Sequence, residues 1–373
     1  MGNVGMGHGG KCNSSCSVKD CQEVKNEVRR DSLTIPETSC AVSHGRLDES
    51  YELGAALGKG AQGFVHMCKD RTTGVVRAAK LMDANKSSAK AAFQREVYFL
   101  NLTRESSVIR VIEVFMQPSY NAIILEKYEA HVKAMVKEHS LKHKRRQGIL
   151  SDSSLQSVMR QAMRAVTYLH HCNVVHRDVK ATNFLVDRMD PDDPDMRVVI
   201  CDFGLARSLE PGKFLSCPVG TRRYWAPEMY DQSYWHAVDI FALGVMLFLI
   251  SSLTYPFQTK EETQTRSVLP PSGLGTLATE MLTRLLAKRP KQRQPGHVLA
   301  LHPWLSGNSH TVAEQERQLP RRSLQQKSKP DVTGGPLEDE ETSARLPHGW
   351  ELSLHDGAAT TSGEGWESDL ILI

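Results

Sequence analysis

Between Tyr51 and Tyr128 the apolar residues arrive in short runs parted by turn signals: YELGAALG, GFVHMCKD, then TTG, VVRAAKLM, VIRVIEVFM, PSYN and AIILEKY. Runs of this length, rich in β-branched and aromatic residues, predict strands, and the short connections predict an antiparallel sheet. One segment breaks the rhythm. In AKAAFQREVYFLNL, Phe93, Val97 and Leu100 recur at helical spacing, so a single helix is expected against the strands. After Ser151 the period becomes helical, with Leu155, Val158, Met159, Ala162, Met163, Val166 and Leu169 forming a wide apolar stripe. It is entered through SDSS, whose short polar side chains satisfy the free N–H groups of a helix start. The apolar run at residues 240–250, IFALGVMLFLI, falls short of the roughly 20 residues a bilayer crossing needs, so it predicts a buried core helix.

The pattern fades at both ends. Residues 1–48 and 306–373 are polar, with stretches such as GGPLEDEET and DGAATTSGEG and no sustained period, and are expected to be disordered tails. A folded domain is expected over residues 49–305, its strand-rich part to about 127 and its helical part from about 128. Composition agrees: 40% hydrophobic, 24% charged and a net charge of +3 describe a globular chain, with no excess of cations to call for nucleic acid. Eight scattered cysteines and no secretory signal point to a reducing, cytoplasmic setting with free thiols. Cys12, Cys16 and Cys21 cluster near His8, but their spacing is not that of a zinc knuckle.

Three stretches carry candidate chemistry. GKGAQGFV, with Gly58, Gly60 and Gly63, fits either a dinucleotide-binding turn or a hairpin folded over ATP phosphates. A dinucleotide turn opens a helix, whereas FVHMCKD reads as a strand, which favours the hairpin. Lys80 ends the next strand and by itself reads as a solvated surface lysine. Glu96, three residues after Phe93 and four before Leu100, stands on the side of the helix that meets the sheet. A carboxylate there either snorkels to water or needs a cation, and Lys80 is the natural one. In VVHRDVKATNF, Asp178 is followed five residues later by Asn183, then by FLV, an acidic insertion (DRMDPDDPDM) and VVICDFG with Asp202. Two apolar strands around a turn would gather these three oxygen-bearing side chains at one loop edge, as magnesium ions and an attacking hydroxyl require.

The joint order of these elements resembles a eukaryotic-type Ser/Thr protein kinase over about residues 51–305. The resemblance implies an α+β, bilobal protein kinase fold: a small lobe of antiparallel sheet with one helix, and a larger, mainly helical lobe. It implies ATP and Mg2+ as cofactors, Ser/Thr-containing proteins as substrates and a signalling role. By analogy Gly58, Lys59, Gly60, Ala61, Gln62 and Gly63 cover the phosphates, and Lys80 pairs with Glu96. Asp178 accepts the substrate proton, Lys180 neutralises the transferring group, and Asn183 and Asp202 hold the metal. Val65, Ala78, Glu126 and Leu185 belong to the nucleotide site, and Leu100, His176 and Phe203 to an apolar spine. Lys180 and Thr221 resemble Ser/Thr rather than tyrosine kinases. Glu228 of APE is expected to pair with Arg293, and Asp239 to hold the catalytic loop from below. A pseudokinase scaffold, with the same fold and no transfer, is the alternative function; loss of Lys80, Asp178 or Asp202 would mark it.

Within the family, LTRLLAKRP, ALHPWL and the MGN opening are similar to calcium- and calmodulin-regulated kinases, including calcium-dependent ones. DRMDPDDPD lacks the glycine and closing glutamate of an EF-hand loop, so direct calcium sensing is not expected. Cys217, with Ser216 beside it, stands where a phosphothreonine often meets the arginine before the catalytic aspartate, here Arg177. Either Ser216 is phosphorylated or activation proceeds without phosphate. Thr182 replaces the glutamate common in kinases of basic substrates, leaving Glu129 as another source of charge. Gly2 suits N-myristoylation, with Cys12 and Cys16 for palmitate, which would add membrane association. Ser32 in RRDSL and Ser323 in RRSLQ are tail serines beside paired arginines, and LKHKRRQ reads as a solvated basic loop.

Overall fold

The computed structural model describes residues 41–43, 45–60, 63–143 and 149–306. Gly2, Cys12, Cys16, Cys21, Ser32, Ser323, Ala61, Gln62 and most of the basic tract after His143 lie outside the described residues. The small lobe is a six-stranded sheet made of β1 (Ala41–Ser43), β2 (Tyr51–Gly60), β3 (Gly63–Asp70), β4 (Val76–Asp83), β5 (Val111–Met116) and β6 (Tyr120–Leu125), in the order β1-β5-β6-β4-β3-β2. Pairings are antiparallel except that of β1 with β5.

That first strand corrects the expectation of a tail running to residue 48. Next to it the single helical turn Leu47–Ser50 buries Leu47 completely, against Tyr51, Phe115 and Ile124 on the sheet face turned away from the other lobe. One leucine on a polar background leaves no period to read, yet its burial contributes roughly 1.5–3 kcal/mol, enough to dock a short turn.

The expected helix is α1 (Ser87–Leu102), with Phe93, Val97, Leu100 and also Glu96 buried. From Leu125 the chain crosses to the large lobe through the buried Tyr128, forms β7 (Ala130–His131) and enters α2 (Val132–His143). The apolar pattern did not predict α2: Val132, Met135 and Val136 face the core, but charged and histidine residues surround them. The stripe expected after Ser151 is α3 (Asp152–His171), where Ser151 Oγ accepts the Ser154 N–H at 3.1 Å.

Short strands then set the reactive loops. In β8 (Val174–Val175), β9 (Phe184–Val186), β10 (Val198–Ile200) and β11 (Arg207–Ser208), β9 lies between β10 and β7, while β8 pairs with β11. The β9–β10 ladder is continued by Cys201 N–H donating to the Asn183 carbonyl at 2.9 Å, so Asn183 and Asp202 become neighbours despite the acidic insertion between them. The apolar run lies in α4 (Ala237–Ser252), buried along almost its whole length. It packs on α5 (Thr276–Leu285) through Gly244, where an added Cβ would lie 2.8 Å from the Leu285 and Leu286 side chains. Among the described residues no helix is long and apolar enough to cross a membrane.

Candidate active site

Strand register decides which small-lobe residues meet. Val65 opposes Lys80 and Lys80 opposes Ile123, while Ala78 opposes Leu125. Opposed residues share a face and successive ones alternate, so Val65, Ala78 and Lys80 lie together on the side covered by α1. Lys80 Nζ donates to both Glu96 oxygens, at 2.6 and 2.9 Å, and to Asp202 Oδ1 at 3.0 Å. Burial works to lower the lysine pKa, but the Asp202 and Glu96 carboxylates outweigh it and hold the ammonium charged, above its ordinary value. Burial lifts the Glu96 carboxyl above the usual range against the pull of Lys80. At Asp202 burial again works upward, and here Lys80 wins and holds the pKa low. The Asp202 side chain keeps 39% of its surface open. Arg95, one residue before Glu96, donates to the Gly204 carbonyl at 2.7 Å and ties α1 to the loop that carries Asp202.

Asp178 is embedded in a second network. Its Oδ1 accepts from the Thr221 N–H at 2.9 Å and hydroxyl at 2.8 Å. Oδ2 meets Lys180 Nζ at 3.0 Å and Asn183 Nδ2 at 3.2 Å, and the same Nδ2 donates to the Asp178 carbonyl at 2.9 Å. Lys180 also reaches Thr221 Oγ1 at 3.0 Å. Gly220 makes this approach possible: its φ is +88°, and a Cβ there would collide with the Arg177 carbonyl. Arg177 and Asp202 hold φ of +66° and +63° without being glycine, which costs energy and persists where surrounding contacts impose it.

At Arg177 those contacts come largely from Asp239. Its Oδ1 accepts the Arg177 N–H at 3.0 Å and Oδ2 the His176 N–H at 2.9 Å, with His170 Nε2 also 3.0 Å from Oδ2. Burial works to raise its pKa, but the His170 bond and neighbouring groups hold it below the ordinary carboxylate value. Arg177 Nε donates to the Leu205 carbonyl at 2.7 Å and Nη1 to Tyr234 Oη at 3.3 Å, while Tyr234 in turn donates to the Cys217 carbonyl. The segment that holds Ser216 and Cys217 is thus linked to Arg177 through the Tyr234 hydroxyl.

The remaining expected residues are placed less uniformly. Gly58, Lys59 and Gly60 pair with Val65, Phe64 and Gly63 in the β2–β3 hairpin, and Lys59 turns its Nζ over the Phe64 ring at 5.4 Å. Leu185 is buried on β9 beside β7. The Glu126 side chain is engaged by Tyr128 Oη at 3.4 Å and Arg197 at 3.8 Å, and its N–H donates to the Arg110 carbonyl at 3.0 Å. Leu100, His176 and Phe203 are all buried, the last two ring against ring at 5.2 Å. Arg95, Gly220 and Tyr234 went unassigned in the sequence; their roles depend on segments far apart in the chain and leave no local spacing to read.

Residues 51–305 match the protein kinase domain. The chain belongs to the protein kinase family. Similar kinases include a probable serine/threonine-protein kinase, fhkE, of Dictyostelium discoideum, 25% identical, with the match covering 86% of this chain and 47% of that one. The human SNF-related serine/threonine-protein kinase is 29% identical over 70% of this chain and 34% of its own. Calcium-dependent protein kinase 11 of Arabidopsis thaliana is 26% identical over 76% and 57%. The matched region thus spans about a third to a little over half of these kinases. Its fold is the α+β, two-lobed one of the family, an antiparallel-rich sheet lobe on a helical lobe.

Proposed function

We propose that this chain is an active protein serine/threonine kinase, transferring the terminal phosphoryl group of ATP to Ser/Thr hydroxyls of proteins in signalling. The observation that carries the reading is Lys80 bonded at once to Glu96 of the small lobe and Asp202 of the large one. This geometry fixes an ammonium between the lobes, where phosphate oxygens need a cation. In the transfer, Asp178 accepts the proton of the substrate hydroxyl as its oxygen bonds to the γ-phosphorus. The bond from that phosphorus to the bridging oxygen breaks, and ADP leaves with the electron pair. Lys180 stands beside Asp178 to offset charge on the transferring group. The hairpin glycines let backbone N–H groups approach phosphate, while Val65, Ala78 and Leu185 supply apolar contact for the base and Glu126 its main-chain carbonyl.

The donor chemistry fits Mg2+. Asn183 uses Nδ2 on Asp178 and keeps Oδ1 as an acceptor, and Asp202 has a second carboxylate oxygen beyond the one facing Lys80. Two protein oxygen groups, with phosphates and waters completing the shell, are what this ion commonly takes. When bound, Mg2+ neutralises phosphate charge. A scaffold reading has no residue in its favour, since Lys80, Asp178 and Asp202 are all present and engaged.

The direct test is transfer from Mg·ATP to a Ser/Thr peptide library. Lys80→Met removes a preorganised cation and leaves Glu96 buried without its partner, so kcat is expected to fall by about 10²–10³. Transfer by this variant at the parent rate would remove the proposed role of Lys80. The reading also includes a cytoplasmic location with membrane association, supported by the glycine at position 2 and the cysteines at positions 12 and 16. One acyl chain anchors weakly, so Gly2→Ala is expected to shift most of the enzyme from the membrane fraction to the soluble one. Unchanged fractionation of that variant would dispose of acylation at Gly2.

A further inference from the structure

The turn that follows Thr221 carries two guanidiniums the transfer chemistry does not use. Thr221 is fixed to Asp178, and the 3-10 turn Arg222–Tyr224 begins at the next residue. Tyr224 pins the turn from behind: it is buried, its hydroxyl accepts the Ala181 N–H at 3.4 Å, and its ring meets Tyr255 edge-on at 5.7 Å. Arg222 and Arg223 therefore point outward and are exposed. Each is already ordered on an aromatic ring. The Arg222 guanidinium lies 5.8 Å from the Trp225 centroid and that of Arg223 4.9 Å from Tyr255, with Arg223 Nη1 donating to Gln258 Oε1 at 3.1 Å. Among the described residues no carboxylate forms an ion pair with either.

We propose that Arg222 and Arg223 select protein substrates carrying an anionic side chain, aspartate, glutamate or phosphoserine, within the first few residues flanking the acceptor Ser/Thr. The inference rests on the kinase reading above. A planar guanidinium offers parallel N–H donors that match carboxylate or phosphate, and stacking on a ring orders it before the substrate arrives. Glu262, whose carboxylate accepts the Gln258 N–H at 2.6 Å, is itself paired with Arg266 at 2.9 Å. Thr182, beside Asn183, brings no carboxylate, and Glu129, the other source of charge near the lobe linker, is paired with Lys127 at 3.0 Å. Directly after Thr221, which is bonded to Asp178, the chain thus presents Arg222 and Arg223 to solvent.

The test compares kcat/KM of the full-length parent and two double variants, Arg222→Gln/Arg223→Gln and Arg222→Glu/Arg223→Glu, on four peptide sets sharing one acceptor. The sets carry Asp/Glu, phosphoserine, Lys/Arg or neutral flanks. The parent should favour the anionic sets over the neutral one by about ten- to a hundredfold, as expected for hydrogen bonds to charged groups. The glutamine variant should lose that ratio, chiefly through KM, and the glutamate variant should turn it toward Lys/Arg flanks. Preference for phosphoserine alone would identify previously phosphorylated proteins as the substrates, and equal preference acidic sequences; both support the proposal. A parent that transfers well yet favours Lys/Arg flanks, or a ratio unmoved by both variants, overturns this proposal and leaves the kinase reading intact. A parent that transfers to no peptide while still binding ATP overturns both.

Discussion

Asp178→Asn is expected to lower kcat for peptide phosphorylation by about 10²–10⁴, the range a general base contributes, with ATP affinity nearly unchanged. Asparagine matches the shape but cannot take a proton. Its carbonyl oxygen can still accept both Thr221 donors, so the position of the activation segment should survive. Its amide, however, would replace the oxygen that meets Lys180 Nζ and Asn183 Nδ2, setting donor against donor. The loss should therefore appear in the chemical step, read by single-turnover transfer, while nucleotide binding at Lys80 and the hairpin is little affected. A variant that transfers within a few fold of the parent would reduce Asp178 to a positioning group.

Much of this site was legible because its parts lie in short local patterns. The run VVRAAK put Lys80 in a strand, although β4 continues three residues past it to Asp83 rather than ending there, and the helical period put Glu96 on the buried side of α1. What the pattern did not reveal has a physical cause. Lys80 and Asp202 are 122 residues apart, and Arg95 and Gly204 are 109 apart, so only the closed lobes bring them together. Tyr234 links Arg177 to the Cys217 carbonyl, and no local spacing distinguishes that tyrosine from a core aromatic. Leu47 and α2 were missed for a different reason. A single buried leucine has no period, and three apolar residues among lysines and histidines make only a weak one.

Arg293→Met is expected to lower global stability by about 3–5 kcal/mol, the cost of stranding one member of a buried ion pair. Arg293 Nη2 donates to Glu228 Oε2 at 2.5 Å, and both residues are buried. Its other nitrogens donate to the Ala237 carbonyl at 2.6 Å and the Ala287 carbonyl at 2.9 Å, while the guanidinium lies 5.2 Å from the Phe241 centroid. Losing the arginine thus strands a carboxylate and removes a donor from three carbonyls, those of Ala237, Ala287 and, at 3.5 Å, Lys288. Glu228 has little in reserve, since its Oε1 has no hydrogen-bond partner among the described residues. The reverse substitution is milder. Glu228→Gln keeps an acceptor for Nη2 and leaves Arg293 its carbonyls, so its expected cost is about 1–3 kcal/mol. Urea unfolding of the three proteins at one pH gives the comparison, with equal m-values needed to read the shifts as stability. If Arg293→Met unfolds at the parent midpoint, the pair contributes no net hold on the segment that runs from Thr221 to α4. If Glu228→Gln costs as much as Arg293→Met, the carboxylate charge itself is the main contribution, and the carbonyl contacts of Arg293 are incidental.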